Sequence, residues 1–358
     1  MSFVPPKQKL IWQPLLPYVR WKQGGVMQEK SRQKIRPPKL PARDGLHPVR
    51  LGKRINSKEA RALKGSLGDW IIKNVPTIDP EELRKYFEIG EVVDWWGNPQ
   101  TWDTPATALE NPIYIYRPAT DEIAEHIHIP IVHRGNGWLV INKPKDIAST
   151  PRGSYIVRTA TIALRRQEGN ADLTPAHRLD RATSGLLLFT ERPELRGMYQ
   201  DLFQNRQVTK TYRATAKAID FNYIKSSALV KITVDPEEQP GWVKIESRIE
   251  KRPGDPGAQH AFGKINAVTY LRPVKTVTIE GQQFVEYEVQ PQTGKTHQIR
   301  LHFASLGAPL VGDPLYGGFN AAPFGLEKVP AGYQELHLEA CRLEFKDPQT
   351  QEMVKIEL

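Results

Sequence analysis

An aspartate between two arginines is the first place where this chain could do chemistry: Pro175-Ala176-His177-Arg178-Leu179-Asp180-Arg181-Ala182-Thr183-Ser184-Gly185. The neighbouring guanidiniums should pull the Asp180 carboxyl down in pKa and keep it ionised. An ionised carboxylate with little freedom can serve as nucleophile, base or oxocarbenium stabiliser. Taken alone, the pattern is that of a turn ion pair. A second segment, Lys210-Thr211-Tyr212-Arg213-Ala214, sets a tyrosine on a strand between cations. A phenol can stack on a base and exchange a proton, although a core tyrosine reads the same way. The third, Thr293-Gly294-Lys295-Thr296-His297-Gln298-Ile299-Arg300-Leu301-His302, gathers polar and basic groups at a helix start. Three- and four-residue spacing puts His297, Arg300, Leu301 and Ala304 on one helix face. Gly294-Lys295-Thr296 looks like the end of a phosphate-binding loop, but that motif needs glycine where this chain has Val289, so a nucleotide triphosphatase is rejected.

Each segment needs an element to hold it. Gly185-Leu186-Leu187-Leu188-Phe189 reads as a buried strand directly after the aspartate segment. Val208–Ala218 is a strand carrying Tyr212, and Thr296–Leu306 a helix that Gly307 terminates. Val132, a Gly135-Asn136-Gly137 turn and Trp138–Ile141 form a hairpin. Helices are expected at Thr159–Arg166 and Pro193–Asn205, and strands at 229–234, 242–250, 267–280, 284–289, 336–345 and 352–357. The whole is an α+β domain over 130–358, with flanking helices on one long mixed, mostly antiparallel sheet. Residues 55–120 read as a small separate module. Leu67, Trp70, Ile71 and Val75 mark one helix, and Asp79 caps another at Pro80–Phe87. Val92–Trp96 and Ile113–Tyr116 are its expected strands.

The 358 residues, 39% hydrophobic and 25% charged, exclude a disordered chain. No apolar run approaches the roughly 20 residues of a membrane span, and no signal-peptide core is present. A single cysteine, Cys341, excludes an internal disulfide and a multi-cysteine zinc site, which suits a reducing cytoplasm. Charge is unevenly placed. Residues 1–54 carry thirteen Lys/Arg against Glu29 and Asp44, an excess of +11 where the whole chain has +10. With eight prolines in the first 50 residues, this is an extended, flexible basic arm suited to a polyanion.

The three chemical segments, in this order and at these intervals, closely resemble the RluA branch of RNA pseudouridine synthases. The pattern also includes Leu139-Val140-Ile141-Asn142-Lys143-Pro144 before them and Gly312-Asp313-Pro314-Leu315-Tyr316-Gly317 after them. The resemblance runs from about residue 130 onward and implies the pseudouridine synthase fold. It makes Asp180 the catalytic aspartate, either attacking C1′ or taking a C2′ proton. Tyr212 becomes the residue that packs on uracil and helps remove the C5 proton, and Arg300 the cation that pairs with Asp180. Arg178 would fill the gap left by a flipped nucleotide. His177, Arg181, Lys210, Lys295, His297 and Gln298 are further candidate RNA contacts. The uracil must be detached, turned and rejoined through C5, which a stacked helix forbids. No metal or other cofactor is required. Two positions depart from the pattern: Ala148-Ser149-Thr150-Pro151 lacks the usual histidine, and Ala182 stands where aspartate is common. The 55–120 module resembles, in a degenerate form, a ribosomal-S4-like RNA-binding module.

The expected activity is conversion of uridine to pseudouridine in structured RNA, ribosomal rather than transfer RNA, by a cytoplasmic monomer without a protein partner. A hydrolytic nucleoside glycosylase would release free uracil. A non-catalytic RNA-binding or ribosome-assembly protein would not need Asp180.

Overall fold

A computed structural model describes residues 40–52, 55–76, 78–116, 127–151, 157–252, 255–317 and 335–358. The basic arm up to residue 39 and residues 117–126 lie outside the described residues.

The small module has elements β1 (Val49–Arg50), α1 (Ser57–Arg61), α2 (Leu67–Asn74), α3 (Pro80–Glu88), β2 (Val92–Val93) and β3 (Tyr114–Ile115). α3 starts as its sequence predicts. Asp79 Oδ1 accepts from the N–H groups of Glu81 and Glu82, and Pro80 takes the first helical position. Leu67, Ile71, Leu83, Phe87, Val92 and Ile115 form its core. The strand expected over Val92–Trp96 is shorter, because Asp94 Oδ1 accepts from the N–H groups of Trp96 and Asn98 and bends the chain into a turn. A short 3-10 turn occupies Ala106–Glu110, ahead of β3.

The module also starts earlier than residue 55. β1 pairs antiparallel with β3, and Leu51 is buried in the same core. Residues 41–47, read from sequence as free arm, tie the module to the larger domain. Tyr116 donates to Pro41 O at 2.9 Å, Arg165 donates to Gly45 O at 2.9 Å, and Arg166 grips the Asp44 carboxylate.

The larger domain runs β4 (Ile131–Arg134), β5 (Trp138–Lys143), α4 (Ala160–Glu168), β6 (Thr174–Pro175), β7 (Ser184–Thr190), α5 (Arg196–Gln204), β8 (Val208–Ala216) and β9 (Val230–Val234). It continues with β10 (Val243–Glu250), β11 (Gln259–Ala261), β12 (Ala267–Ile279), β13 (Gln282–Pro291), α6 (Gln298–Ser305), β14 (Leu338–Lys346) and β15 (Met353–Glu357). Among the described residues they build one twelve-stranded sheet, in the order β11-β10-β12-β13-β8-β14-β7-β5-β4, with β15, β6 and β9 on its margins. Every pairing is antiparallel except β14 with β7. The sheet is therefore mixed and mostly antiparallel, as expected.

β7 lies inside the sheet between β14 and β5, with apolar layers on both faces, which explains its unbroken apolar run. Leu187 and Phe189 pack with Leu139, Ile141 and Leu164 of α4 on one face. Leu186 and Leu188 pack with Trp138, Tyr199 and Leu202 on the other, under α5. Each such burial contributes roughly 1.5–3 kcal/mol. The buried Asp347 carboxylate accepts from Trp138 Nε1 and Tyr199 Oη, both at 2.9 Å, and locks α5 to that face. Gly185 has a structural necessity: a Cβ there would stand 2.3 Å from Ala340 O of β14. The parallel pairing that follows the aspartate segment thus requires glycine at this position.

Candidate active site

All three chemical segments meet in one cleft of about 1500 Å³. Its walls are the 174–183 stretch before β7, the 208–212 part of β8 and the 291–300 turn into α6, with Lys251, Arg252 and Asn266 on the rim. Among the described lining residues Asp180 is the single carboxylate, whereas Arg178, Arg181, Arg206, Lys210, Lys295 and Arg300 face it with positive charge. Charge of that distribution suits a polyanionic ligand with one carboxylate kept for chemistry.

The loop that carries Asp180 is fixed on both sides. Before it, Ser149 Oγ accepts from Leu179 N at 3.0 Å and donates to Leu179 O at 2.8 Å. After it, Lys143 Nζ donates to Arg181 O at 3.1 Å, as well as to Ile147 O at 2.8 Å and Pro144 O at 2.7 Å. Lys143 is fully buried. Three carbonyls match the three N–H bonds of an ammonium, while burial pulls its pKa down to about 7 against the opposing charges of Asp146 and Asp180. The Asp180 carbonyl accepts from Thr183 N, which closes the turn. Neither Ser149 nor Lys143 stood out by sequence as a site residue. Lys143 was visible only as the end of a strand motif, and Ser149 lies in the stretch that departs from the RluA pattern.

The Asp180 carboxylate itself is half-buried and makes no hydrogen bond or ion pair with any described residue. Its charge is nevertheless felt at Tyr212, His297, Arg300 and Tyr316. Tyr212 is buried at the cleft wall. Burial first, and then the Asp180 charge, push its pKa up and keep the phenol protonated. The sequence placed these two groups together, and the structure does bring them to one cleft.

Arg300 differs from expectation. Its fork is committed to Asp313: Nε donates to Oδ2 at 2.8 Å and Nη2 to Oδ1 at 2.7 Å, with both side chains buried. Asp313 also accepts from the N–H groups of Leu315 and Tyr316. Burial disfavours charge on this arginine, but the hydrogen bonds and charge of Asp313, with Asp180 adding to them, raise its pKa. Asp180 is a neighbouring charge and not the partner. A planar fork takes the carboxylate that meets it bidentately in a dry environment, and the 312–317 turn supplies that carboxylate.

Two other candidates serve the scaffold. Gln298 is buried, and its amide is fully used: Oε1 accepts from Thr293 Oγ1 and Lys295 N, while Nε2 donates to Val268 O and Thr269 Oγ1. It shapes the 293–297 turn and has nothing left for RNA. His177 stacks on Phe203 at 4.1 Å and accepts from Leu188 N. Burial drives its pKa down to about 3, so it forms a neutral wall and offers no cation. His297 contacts Tyr316 Oη at 3.1 Å and borders the cleft. Lys210 reaches toward Thr293 O at 3.5 Å, with its pKa lowered to about 8 by burial and then by Arg206. Arg178 and Lys295 are exposed at the cleft, where a phosphate or a base can reach them.

A carboxylate held between pinned residues, a buried phenol beside it and a cationic rim are suited to a sugar–base reaction on RNA. Residues 137–305 match the family model of RNA pseudouridylate synthase. Over these residues the chain is similar to the RNA pseudouridylate synthases. The synthase is similar to an uncharacterized RNA pseudouridine synthase of Synechocystis, with 28% identity over 78% of this chain and 81% of that protein. It is also similar to tRNA pseudouridine synthase C of Vibrio cholerae, 28% identical over 64% of this chain and 89% of the relative. A third relative is ribosomal large subunit pseudouridine synthase D of Haemophilus ducreyi, 27% identical over 64% and 67% of the two chains. The reaction of the synthase is the isomerisation of uridine to pseudouridine in RNA. Among the described residues, no helix is long and apolar enough to cross a membrane.

Proposed function

We propose that this synthase acts on a uridine in structured ribosomal RNA, with Asp180 as the group that meets the sugar. The observation that carries the reading is the Asp180 carboxylate: it is the one acid lining a cationic cleft and has no hydrogen-bond partner among the described residues. With Arg300 spent on Asp313, Asp180 keeps its oxygens for substrate.

The target nucleotide would leave its stack, at a cost of a few kcal/mol, and enter the cleft. Arg178, exposed and two residues from Asp180, would take the space it vacates. Asp180 then attacks C1′ or removes a C2′ proton, and the C1′–N1 bond breaks. The loose uracil turns against Tyr212 and rejoins through C5. As C5 bonds to C1′, the Asp180–C1′ ester breaks, or in the other route the proton taken from C2′ returns there. C5 gives up a proton and N1 gains one, so atoms balance without a co-reactant and Asp180 is restored. Tyr212, protonated at rest, enters as a ring surface and a donor, and relays the C5 proton once a neighbour accepts its own. The synthase works in this reading as a cytoplasmic monomer, with the basic arm adding contacts to phosphates.

The test is to map pseudouridines in total RNA from cells with the gene, without it, and complemented with Asp180→Ala. A site in ribosomal RNA that disappears on deletion and returns only with the wild-type gene supports the proposal. A site lost from transfer RNA would reassign the substrate. Restoration by Asp180→Ala would remove Asp180 from the chemistry.

A further inference from the structure

Beyond the cleft, the loop between β11 and β12 presents an aromatic ring to solvent. Phe262 is 78% exposed and Ile265 44%, with exposed Lys264 between them. Single exposed apolar side chains are ordinary, so exposure alone carries nothing. Three further features show that this loop is built to display them. Gly263 has φ +125°, and a Cβ there would meet Arg248 Cδ at 3.0 Å. Only glycine takes that conformation without strain, and it is what turns the chain between the phenyl ring and the lysine. Asn266 clamps the base of the loop: its Oδ1 accepts from Ile249 N at 2.9 Å and its Nδ2 donates to Ile249 O at 3.1 Å. Asn266 is also a rim residue of the cleft, together with Lys251 and Arg252. The loop therefore stands beside the active-site mouth and carries one aromatic face with cations at hand.

We propose that Phe262 is a stacking platform for an unpaired base of the RNA substrate outside the flipped nucleotide, with Lys264 holding the adjoining phosphate. This rests on the RNA-modifying reading above and adds to it a preference for substrates unpaired next to the target. An aromatic ring stacks on any base, and cations beside it capture the backbone. The rim's positive charge favours RNA over a protein partner as the occupant.

The full chain is tested by fluorescence anisotropy with two RNAs, a hairpin with a loop of unpaired uridines and a blunt duplex of the same stem. Phe262→Ala is expected to weaken hairpin binding roughly tenfold and leave the duplex unchanged, in line with one stacked base. Phe262→Tyr should bind like the wild type. Phe262→Leu, apolar but without a ring, should behave like the alanine variant. On RNA from cells lacking the gene, Phe262→Ala should raise KM and preserve kcat. Equal hairpin affinity of Phe262→Ala and wild type overturns the proposal, and a protein-contact role would give that result. Leucine performing as well as phenylalanine also overturns it. Failure of the wild-type chain to bind the hairpin or form pseudouridine would instead strike the RNA reading itself.

Discussion

The buried ammonium of Lys143 donates to the carbonyl oxygen of Arg181 at 3.1 Å, one residue past Asp180. Ser149 does the same work one residue before it, through both backbone groups of Leu179. The aspartate is positioned by its flanking peptide groups, which leaves its own oxygens without internal duties.

Lys143 should reveal itself in the pH dependence of stability. Unfolded, it holds its proton to about pH 10.5; folded, its pKa is pulled down to about 7. Between these values the unfolded state binds more protons, so raising the pH favours the folded state by up to about 1.4 kcal/mol per pH unit. Urea unfolding of wild type and Lys143→Met from pH 7 to pH 9 should show the wild type gaining on the variant as pH rises. A constant difference between them would refute the shifted lysine.

Asp180 and Asp313 should respond in opposite ways to truncation. Asp180→Ala removes no hydrogen bond, so its thermal midpoint should stay close to wild type while pseudouridine formation is lost. Asp313→Ala strands the buried Arg300 guanidinium and should cost about 3–5 kcal/mol in chemical denaturation. If Asp180→Ala proved the more destabilising, Arg300 would have to pair with Asp180 after all.

Tyr212→Phe preserves the ring and deletes the hydroxyl. RNA affinity should remain within about twofold of wild type, and turnover should fall by a factor of about 10²–10⁴, the range for a positioned proton-transfer group. Weaker binding with undiminished turnover would limit Tyr212 to contact with the base.

Truncation before residue 40 should flatten the salt dependence of RNA affinity without lowering stability, because released counterions set that slope. Truncation through residue 51 should also destabilise the fold, since it removes the β1–β3 pairing and the buried Leu51. A salt slope that is unchanged by the shorter truncation would mean the arm does not touch RNA.

Much of this was legible in the residues. The apolar run after Asp180 reads as a buried strand and is one, and the cap chemistry at Asp79 fixed a helix start to the residue. What escaped was pairing set by tertiary geometry. Arg300 lies in a motif close to Asp180, but its partner sits on the 312–317 turn, and no local pattern says which carboxylate a fork will reach. Gln298 looked free because glutamine in a polar motif usually is, yet four neighbours from two segments consume its amide. Lys143 reads as a strand end, and only the fold shows that it is sealed beneath the loop it supports. Residues 41–51 have the composition of a tail, and the contacts that hold them lie on α4 and β3.

The fit of Gly185 against Ala340 also constrains how the protein is born. The strand bearing Ala340 is synthesised long after the one it flanks, and Asp313 is also made after the arginine it neutralises. A nascent chain that has released only its first two hundred residues from the ribosome has Asp180 but neither the neighbour that aligns its strand nor a finished cleft. Catalytic competence should therefore arrive as a single late event in translation, and partial products should be inert toward the RNA around them.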